Sequence, residues 1–153
     1  MKKRIIFIAA IAFIIILVAL ILLVIRGGFL PSEYRIFGTL DELSCLNEYV
    51  NQSIEEDNNL IKGLAVAENK CVEVNYNGGI FKVYAYVFTS STDASDFITR
   101  ARRIHKSNGS FYMISDENRA LYIEGSNKSY KDFMEFLFDH LTVRIDRFGE
   151  RIN

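Results

Sequence analysis

The residues best suited to covalent or metal chemistry in this chain of 153 are two cysteines and two histidines. Cys45 and Cys71 would close a loop of about 26 residues, and a disulfide over such a loop contributes roughly 3 kcal/mol. The bridge needs an oxidising compartment. It also needs Cys71 to approach from outside the core, because Cys45 lies opposite the apolar face of its predicted helix. The sequence therefore leaves both the bonded and the free state open.

The histidines suggest catalysis, but their surroundings do not support it. His105 projects onto the apolar side of a predicted helix, and His140 follows Asp139 beside the apolar side of another. Nucleophilic catalysis needs a serine or cysteine beside a histidine that a carboxylate orients, and no G-x-S-x-G context supplies one. Zinc-ligand spacings such as C-x-x-C are also missing. We therefore predict no catalytic residue, no metal site and no cofactor.

A cluster of cations suggests anion binding. Arg102, Arg103 and Lys106 lie near the end of a predicted helix and are candidate contacts for a phosphate, an anionic glycan or lipid headgroups. Cations in the last turns of a helix are also favoured by its dipole. A rotation of about 100° per residue spreads them over the polar face instead of gathering them into a pocket. A solvated helix face is therefore the preferred interpretation.

A row of aromatic residues is the third candidate site. Tyr84, Tyr86 and Phe88 alternate along a predicted strand whose opposite face is aliphatic. If the aliphatic face forms the core, the aromatic face is left exposed and forms a surface for a partner protein or a glycan. In the alternative interpretation, another segment of the chain covers the aromatic row.

The elements that must position these residues are predicted from turn and helix signals. Asn77-Gly78-Gly79 tolerates positive φ and predicts a hairpin, and a second hairpin is predicted around residues 116–119. Helices are predicted over about 40–57, from 91 to about 107, and from 129 to about 141. Hairpins that alternate with single helices favour an α+β fold. We expect a small two-layer domain, with an antiparallel sheet built from hairpins and all helices on one face.

The N-terminus carries the strongest single signal. Residues 5–25 contain no charged or polar side chain, and Lys2-Lys3-Arg4 precedes them. A helix of this length measures about 31 Å, which matches the hydrocarbon core of a bilayer. The basic residues favour a cytoplasmic N-terminus, and a suitable cleavage site is missing at the end of the run. We therefore predict an uncleaved transmembrane signal anchor.

These signals divide the chain into a cytoplasmic stub (1–4), the anchor (5–25), a linker (26–38) and an extracytoplasmic α+β domain (39–153). Four of the 18 basic residues flank the anchor. The rest of the chain therefore has 14 basic and 19 acidic residues, a net charge of about −5. That balance argues against nucleic acid as a partner. The expected partners are the lipid bilayer, through residues 5–25, and a second membrane protein.

Two functional hypotheses follow. The preferred one is a single-pass membrane protein whose extracytoplasmic domain binds an unidentified ligand or serves as an accessory subunit, a role that needs no enzymatic activity but leaves it open. The alternative is a membrane-tethered enzyme that acts on an envelope substrate. A cleft with a perturbed titratable group would favour the enzyme, whereas an apolar sheet surface would favour binding.

Overall fold

The computed structural model describes residues 33–105, 109–146, 148 and 150–152, all of which belong to the compact unit Pro31–Asn153. The predicted stub, the anchor over 5–25 and the first part of the linker lie outside these residues. Within the described ranges, no helix is long and apolar enough to cross a bilayer.

Strands dominate the described elements. In chain order they are β1 (Tyr34–Ile36), a 3-10 helix (Leu40–Leu46), β2 (Val50–Ser53), α1 (Asn58–Ile61), β3 (Val66–Tyr76), β4 (Gly79–Phe88), α2 (Ser91–Ile104), β5 (Ser110–Asp116), β6 (Arg119–Gly125), α3 (Tyr130–Phe138), β7 (Val143–Ile145) and β8 (Arg151–Ile152).

The strands form two antiparallel sheets. One has five strands in the order β2-β3-β4-β6-β5, and the other has three in the order β1-β7-β8. The predicted α+β class is therefore confirmed. The segment after α3, which the sequence pattern left unassigned, supplies two strands of the smaller sheet.

The β3–β4 hairpin forms where the turn signal predicts it. Asn77 and Gly78 have φ values of 49° and 75°, and Tyr76 pairs with Gly79 across the turn. Asparagine and glycine tolerate this left-handed conformation at little cost, so a two-residue turn can match the twist of the strands. This turn fixes the register of β4, the central strand that carries the aromatic row.

The prediction that all helices lie on one face is wrong. Phe97 of α2 packs on Tyr86 with ring centroids 4.9 Å apart, whereas Phe133 of α3 stacks on Phe81 at 4.4 Å. Residues 81 and 86 differ in parity along β4, so the two helices cover opposite faces of the sheet. The reason is that β4 is apolar on both sides, and each side must be buried. We refer to the two sides as the α2 face and the α3 face.

The predicted helix over 40–57 is also wrong beyond its start. The N-terminal cap is present, because the Glu42 carboxylate accepts hydrogen bonds from the backbone N–H groups of Thr39 at 3.2 Å and Gly38 at 3.0 Å. The helix then ends at Leu46, and β2 follows and pairs with β3, with Val50 opposite Val74. Tertiary pairing with β3 thus overrides the local helical periodicity.

Candidate functional site

The aromatic row is buried, so another segment of the chain covers it and the candidate partner surface at these residues is wrong. Tyr84, Tyr86 and Phe88 are 8%, 0% and 0% exposed. Helix α2 lies over them, and Phe97 contacts both Tyr86 and Phe88. These three residues form the covered half of the α2 face, and they contribute core packing in place of a partner surface.

The same face is uncovered beyond the end of α2. The helix ends at Ile104. The β4 residues before Tyr84 on this face are therefore not covered by α2, and neither are their neighbours on β5 and β6. Ile80 is 50% exposed and Phe111 is 49% exposed, while Lys82 and Glu124 lie side by side across the β4–β6 ladder. Ile80, Lys82, Phe111 and Glu124 form the open half of the α2 face.

A pocket of about 250 Å³ lies at this end of the sheet; we name it the open-end pocket. It combines apolar, cationic, anionic and imidazole groups in a space large enough for one small chemical group. Its lining consists of Ile80, Lys82, His105, Gly109, Ser110, Glu124 and Gly125.

A chain of hydrogen bonds leads into the pocket. His105 Nδ1 lies 3.3 Å from the Tyr122 hydroxyl, and this hydroxyl donates to the Glu124 carboxylate. The phenol has one proton, and an ionised carboxylate only accepts, so His105 Nδ1–H must donate to the Tyr122 oxygen. In neutral His105 the other nitrogen, Nε2, is then an acceptor. It is buried and has no hydrogen-bond partner among the described residues.

The environment of Tyr122 keeps its phenol neutral. Burial raises the pKa of Tyr122 far above its ordinary value, and the hydrogen bond to Glu124 raises it further. Tyr122 therefore remains a proton donor to Glu124 at neutral pH and is not itself a base. Among the described residues, Lys82 is the only cation paired with Glu124, and its Nζ lies 3.9 Å from the carboxylate.

The pocket supplies no activated nucleophile. Ser110 lines it, but the Ser110 hydroxyl donates to Asn127 Oδ1 at 2.6 Å and makes no hydrogen bond to His105. A triad requires the serine and the histidine to be hydrogen-bonded. The arrangement can thus orient a bound group through polar contacts, whereas a nucleophilic attack would require Ser110 to change its partner.

The two cysteines are free thiols on opposite faces of the sheet. Cys71 lies on the α2 face, where its thiol donates to the Tyr86 hydroxyl at 3.3 Å. Cys45 belongs to the 3-10 helix, which lies on the α3 face. There the Lys70 ammonium group donates to the Leu43 carbonyl at 2.9 Å. Burial raises the pKa of both thiols. The sheet therefore stands between the two sulfur atoms.

The predicted cation cluster does not form a pocket. Arg102 and Arg103 are exposed on α2, and Lys106 lies outside the described residues. Their neighbour Arg100 is used structurally, because its guanidinium donates to the Lys62 carbonyl at 2.6 Å. His140 is likewise structural, since its Nδ1 lies 2.9 Å from the Phe136 carbonyl at the end of α3.

Comparison with known proteins adds no further assignment: no family model, no curated protein and no solved structure matches this chain. The described residues also contain no group of three or more metal-ligating side chains. Function must therefore be argued from the open-end pocket and from the sequence of the N-terminus.

Proposed function

We propose that this protein is a single-pass membrane protein, with a cytoplasmic N-terminus and an anchor over residues 5–25, whose extracytoplasmic domain acts by binding. The apolar N-terminal sequence supports the anchor. The observation that supports binding is the open-end pocket, where exposed Ile80 lies beside the polar side chains of the lining and exposed Phe111 lies next to His105.

The apolar residues at this site come from three separate elements. Ile80 on β4 lines the pocket, and the ring centroid of Phe111 on β5 lies 4.1 Å from that of His105. Exposed Ile104 immediately precedes His105 at the end of α2. Grouped exposed apolar side chains, with polar groups between them, are typical of interaction sites. The polar chain from His105 to Glu124 would then fix the orientation of the bound group.

The partner we propose is another membrane protein. The extracytoplasmic domain would serve this protein as an accessory subunit, with the open-end pocket as its contact site. The bilayer would restrict both proteins to the same surface and raise their effective concentration.

Topology is tested first, in intact cells that express the full-length chain. A Cys45→Ser background leaves only the buried thiol of Cys71. We expect a cysteine introduced at exposed Ser53 to react with a membrane-impermeant maleimide, and a cysteine at Lys3 to react only after lysis. The reverse pattern, or release of the protein by alkaline carbonate, would overturn the anchored topology.

Binding is tested by site-specific photo-crosslinking in native membranes. A photoreactive residue replaces Ile80 at the pocket, and the matched control replaces Ile152 on β8, which is exposed to a similar degree. We expect a discrete adduct with a second membrane protein from position 80 only. Equal labelling from both positions, or no adduct from either, would contradict a binding site at the pocket.

A second candidate function rests on one observation, the free acceptor at His105 Nε2. A membrane-tethered enzyme acting on an envelope substrate could use this nitrogen as a general base, held by Tyr122 and Glu124, if substrate binding opened the buried side of the imidazole to the pocket. The test is turnover of chromogenic ester and glycoside substrates by the detergent-solubilised protein. Hydrolysis that disappears in both His105→Gln and Ser110→Ala would favour the enzyme over the binding domain.

A further inference from the structure

Strand β5 forms an edge of the five-stranded sheet. It is the last strand in the order, and among the described strands its backbone pairs only with β6. Strand β1 contacts β5 on the α3 face, where the Tyr112 hydroxyl bonds to the Arg35 backbone. Its pairing with β6 continues from Ser110 opposite Gly125 to Asp116 opposite Arg119 without a register shift. The opposite edge differs, because the pairing of β2 with β3 is interrupted between Val50 and Gln52. Bulges of that kind discourage the addition of another strand, and β5 has none.

The register shows which backbone groups of β5 point outward. Asp116 and Arg119 flank a two-residue turn, so they form a hydrogen-bonded pair, and every second residue of β5 from Asp116 also bonds to β6. The bond from Phe88 N–H to the Asn118 carbonyl, at 2.7 Å, agrees with this alternation on the next ladder. The outward groups are therefore those of Phe111, Met113 and Ser115. None of them has a backbone partner among the described residues.

The side chains of β5 offer no defence either. The strand reads Ser-Phe-Tyr-Met-Ile-Ser-Asp, with no lysine, no proline and no charge before Asp116. Edge strands usually carry such residues, because exposed N–H and C=O groups otherwise recruit another strand. In addition, Phe111 is half exposed next to this edge.

We propose that β5 pairs antiparallel with β5 of a second copy of this chain, with the two-fold axis at Met113. This register uses every outward group. Met113 bonds to Met113 of the second copy, and Phe111 bonds to Ser115 of the second copy in both directions. The two five-stranded sheets then form one continuous sheet.

A second copy is favoured over a foreign strand because the edge is complementary to itself. In the two-fold register the aromatic Phe111 lies opposite the small Ser115, and Tyr112 lies opposite Ile114. Asp116 lies opposite neutral Ser110, so no like charges face each other across the interface. Large-against-small pairing and the absence of charge repulsion are what a self-paired edge requires.

The proposal is tested by disulfide trapping in the full-length protein in detergent, in a Cys45→Ser background. Met113→Cys places two thiols at the axis, where the Cα atoms of a hydrogen-bonded pair are about 5.5 Å apart, within disulfide range. The matched control is Ser115→Cys, whose copies would lie about 13 Å apart. We expect mild oxidation to link most of Met113→Cys into dimers and to leave Ser115→Cys monomeric.

A mixed sample fixes the register. Phe111→Cys and Ser115→Cys, each unreactive with itself, should link to each other when combined. Cross-linking of Ser115→Cys alone, or equal cross-linking at all three positions, would overturn the two-fold register at Met113. Failure of Met113→Cys to link under conditions where the mixed sample also fails would overturn self-pairing altogether.

A backbone variant tests the same edge without oxidation. Met113→Pro removes an outward N–H that the sheet does not use, and edge strands tolerate proline at such positions. We expect at least a tenfold weaker dimer by sedimentation velocity, with Ser115→Lys as a second variant if the proline variant does not fold. Both variants folded and dimeric as wild type would overturn the proposal. A dimer lost in both, with unchanged thermal unfolding, would support it.

Discussion

The two halves of the α2 face have the same strand geometry and opposite roles. In the covered half, Tyr84, Tyr86 and Phe88 are buried under α2. In the open half, Ile80 is 50% exposed on the same strand and the same face, only two alternations away from the buried Tyr84. The boundary between them is the end of α2 at Ile104. The comparison shows that alternation assigns a residue to a face, while the length of the covering helix decides whether the residue is core or surface.

The largest expected difference between the halves is in packing energy. Phe97→Ala removes the ring that α2 places on Tyr86 and Phe88, and we expect it to lower the free energy of unfolding by about 3 to 5 kcal/mol. The control in the open half is Ile80→Ala, with an expected change within about 0.5 kcal/mol. Urea unfolding monitored by circular dichroism measures both. Similar losses from the two variants would contradict the division into halves.

Alkaline pH should destabilise the protein through the covered half. Burial, reinforced by Glu124, raises the pKa of Tyr84 to about 12, whereas the unfolded phenol titrates near about 10. Between these pH values the unfolded chain loses a proton that the folded chain keeps, so stability falls by about 1.4 kcal/mol per pH unit for this group. Below about pH 9 this contribution is constant.

The measurement is the free energy of unfolding between pH 8 and pH 12, for wild type and Tyr84→Phe. We expect a shallower decline in the variant above about pH 10. Parallel curves would show that Tyr84 ionises in the folded state as freely as in the unfolded chain, which its burial argues against.

The border between the halves should show a smaller effect. Tyr122→Phe leaves His105 Nδ1 and the Glu124 carboxylate without their shared partner, and we expect a loss of about 1 to 2 kcal/mol in the free energy of unfolding. The matched control is Tyr34→Phe, whose ring is 38% exposed. Equal effects of the two variants would mean that the hydrogen-bond chain at the pocket contributes nothing to stability.

The smallest effect is expected within the open half. Lys82→Gln removes a partly exposed cation that lies 3.9 Å from Glu124, and because exposed pairs typically contribute about 0.2 to 1 kcal/mol, we expect a loss of about 0.5 kcal/mol. Chemical denaturation at low and high salt provides the measurement. A loss above about 1 kcal/mol would show that Lys82 organises the pocket and is more than a solvated rim residue.

The fold could be predicted where the signals were local. Ser90 caps α2 by accepting a hydrogen bond from Asp93 N–H at 3.1 Å, so the predicted helix from 91 onward forms. The Asn77-Gly78 turn forms for the same reason. Strand β3 lacks such a signal at Asn69-Lys70, yet Val66–Tyr76 is one strand because β4 pairs with it along almost its whole length. Pairing between distant segments leaves no local signal.

The candidate site was harder to predict than the fold. The sequence identified His105 at the end of α2, but the hydrogen-bond chain continues through Tyr122 and Glu124 on β6. Only the β4–β6 register brings Glu124 beside Lys82. The one available signal was the spacing of Tyr122 and Glu124, which puts both on one face of a strand. The aromatic row was assigned correctly to one face. Its exposure could not be read from the pattern, because exposure depends on where α2 ends.

The first strand has a mechanical consequence. Three residues of β1 pair with β7, and the side-chain bonds of this segment include Glu33 to Arg144 at 2.6 Å and Arg35 N–H to the Tyr112 hydroxyl at 2.8 Å. A force applied to the chain before Glu33 would act first on β1. The smaller sheet would open first under tension, while the longer ladders of the five-stranded sheet, together with the open-end pocket and the β5 edge, would stay folded. A domain built in this way would yield at its first strand while its larger sheet keeps its shape.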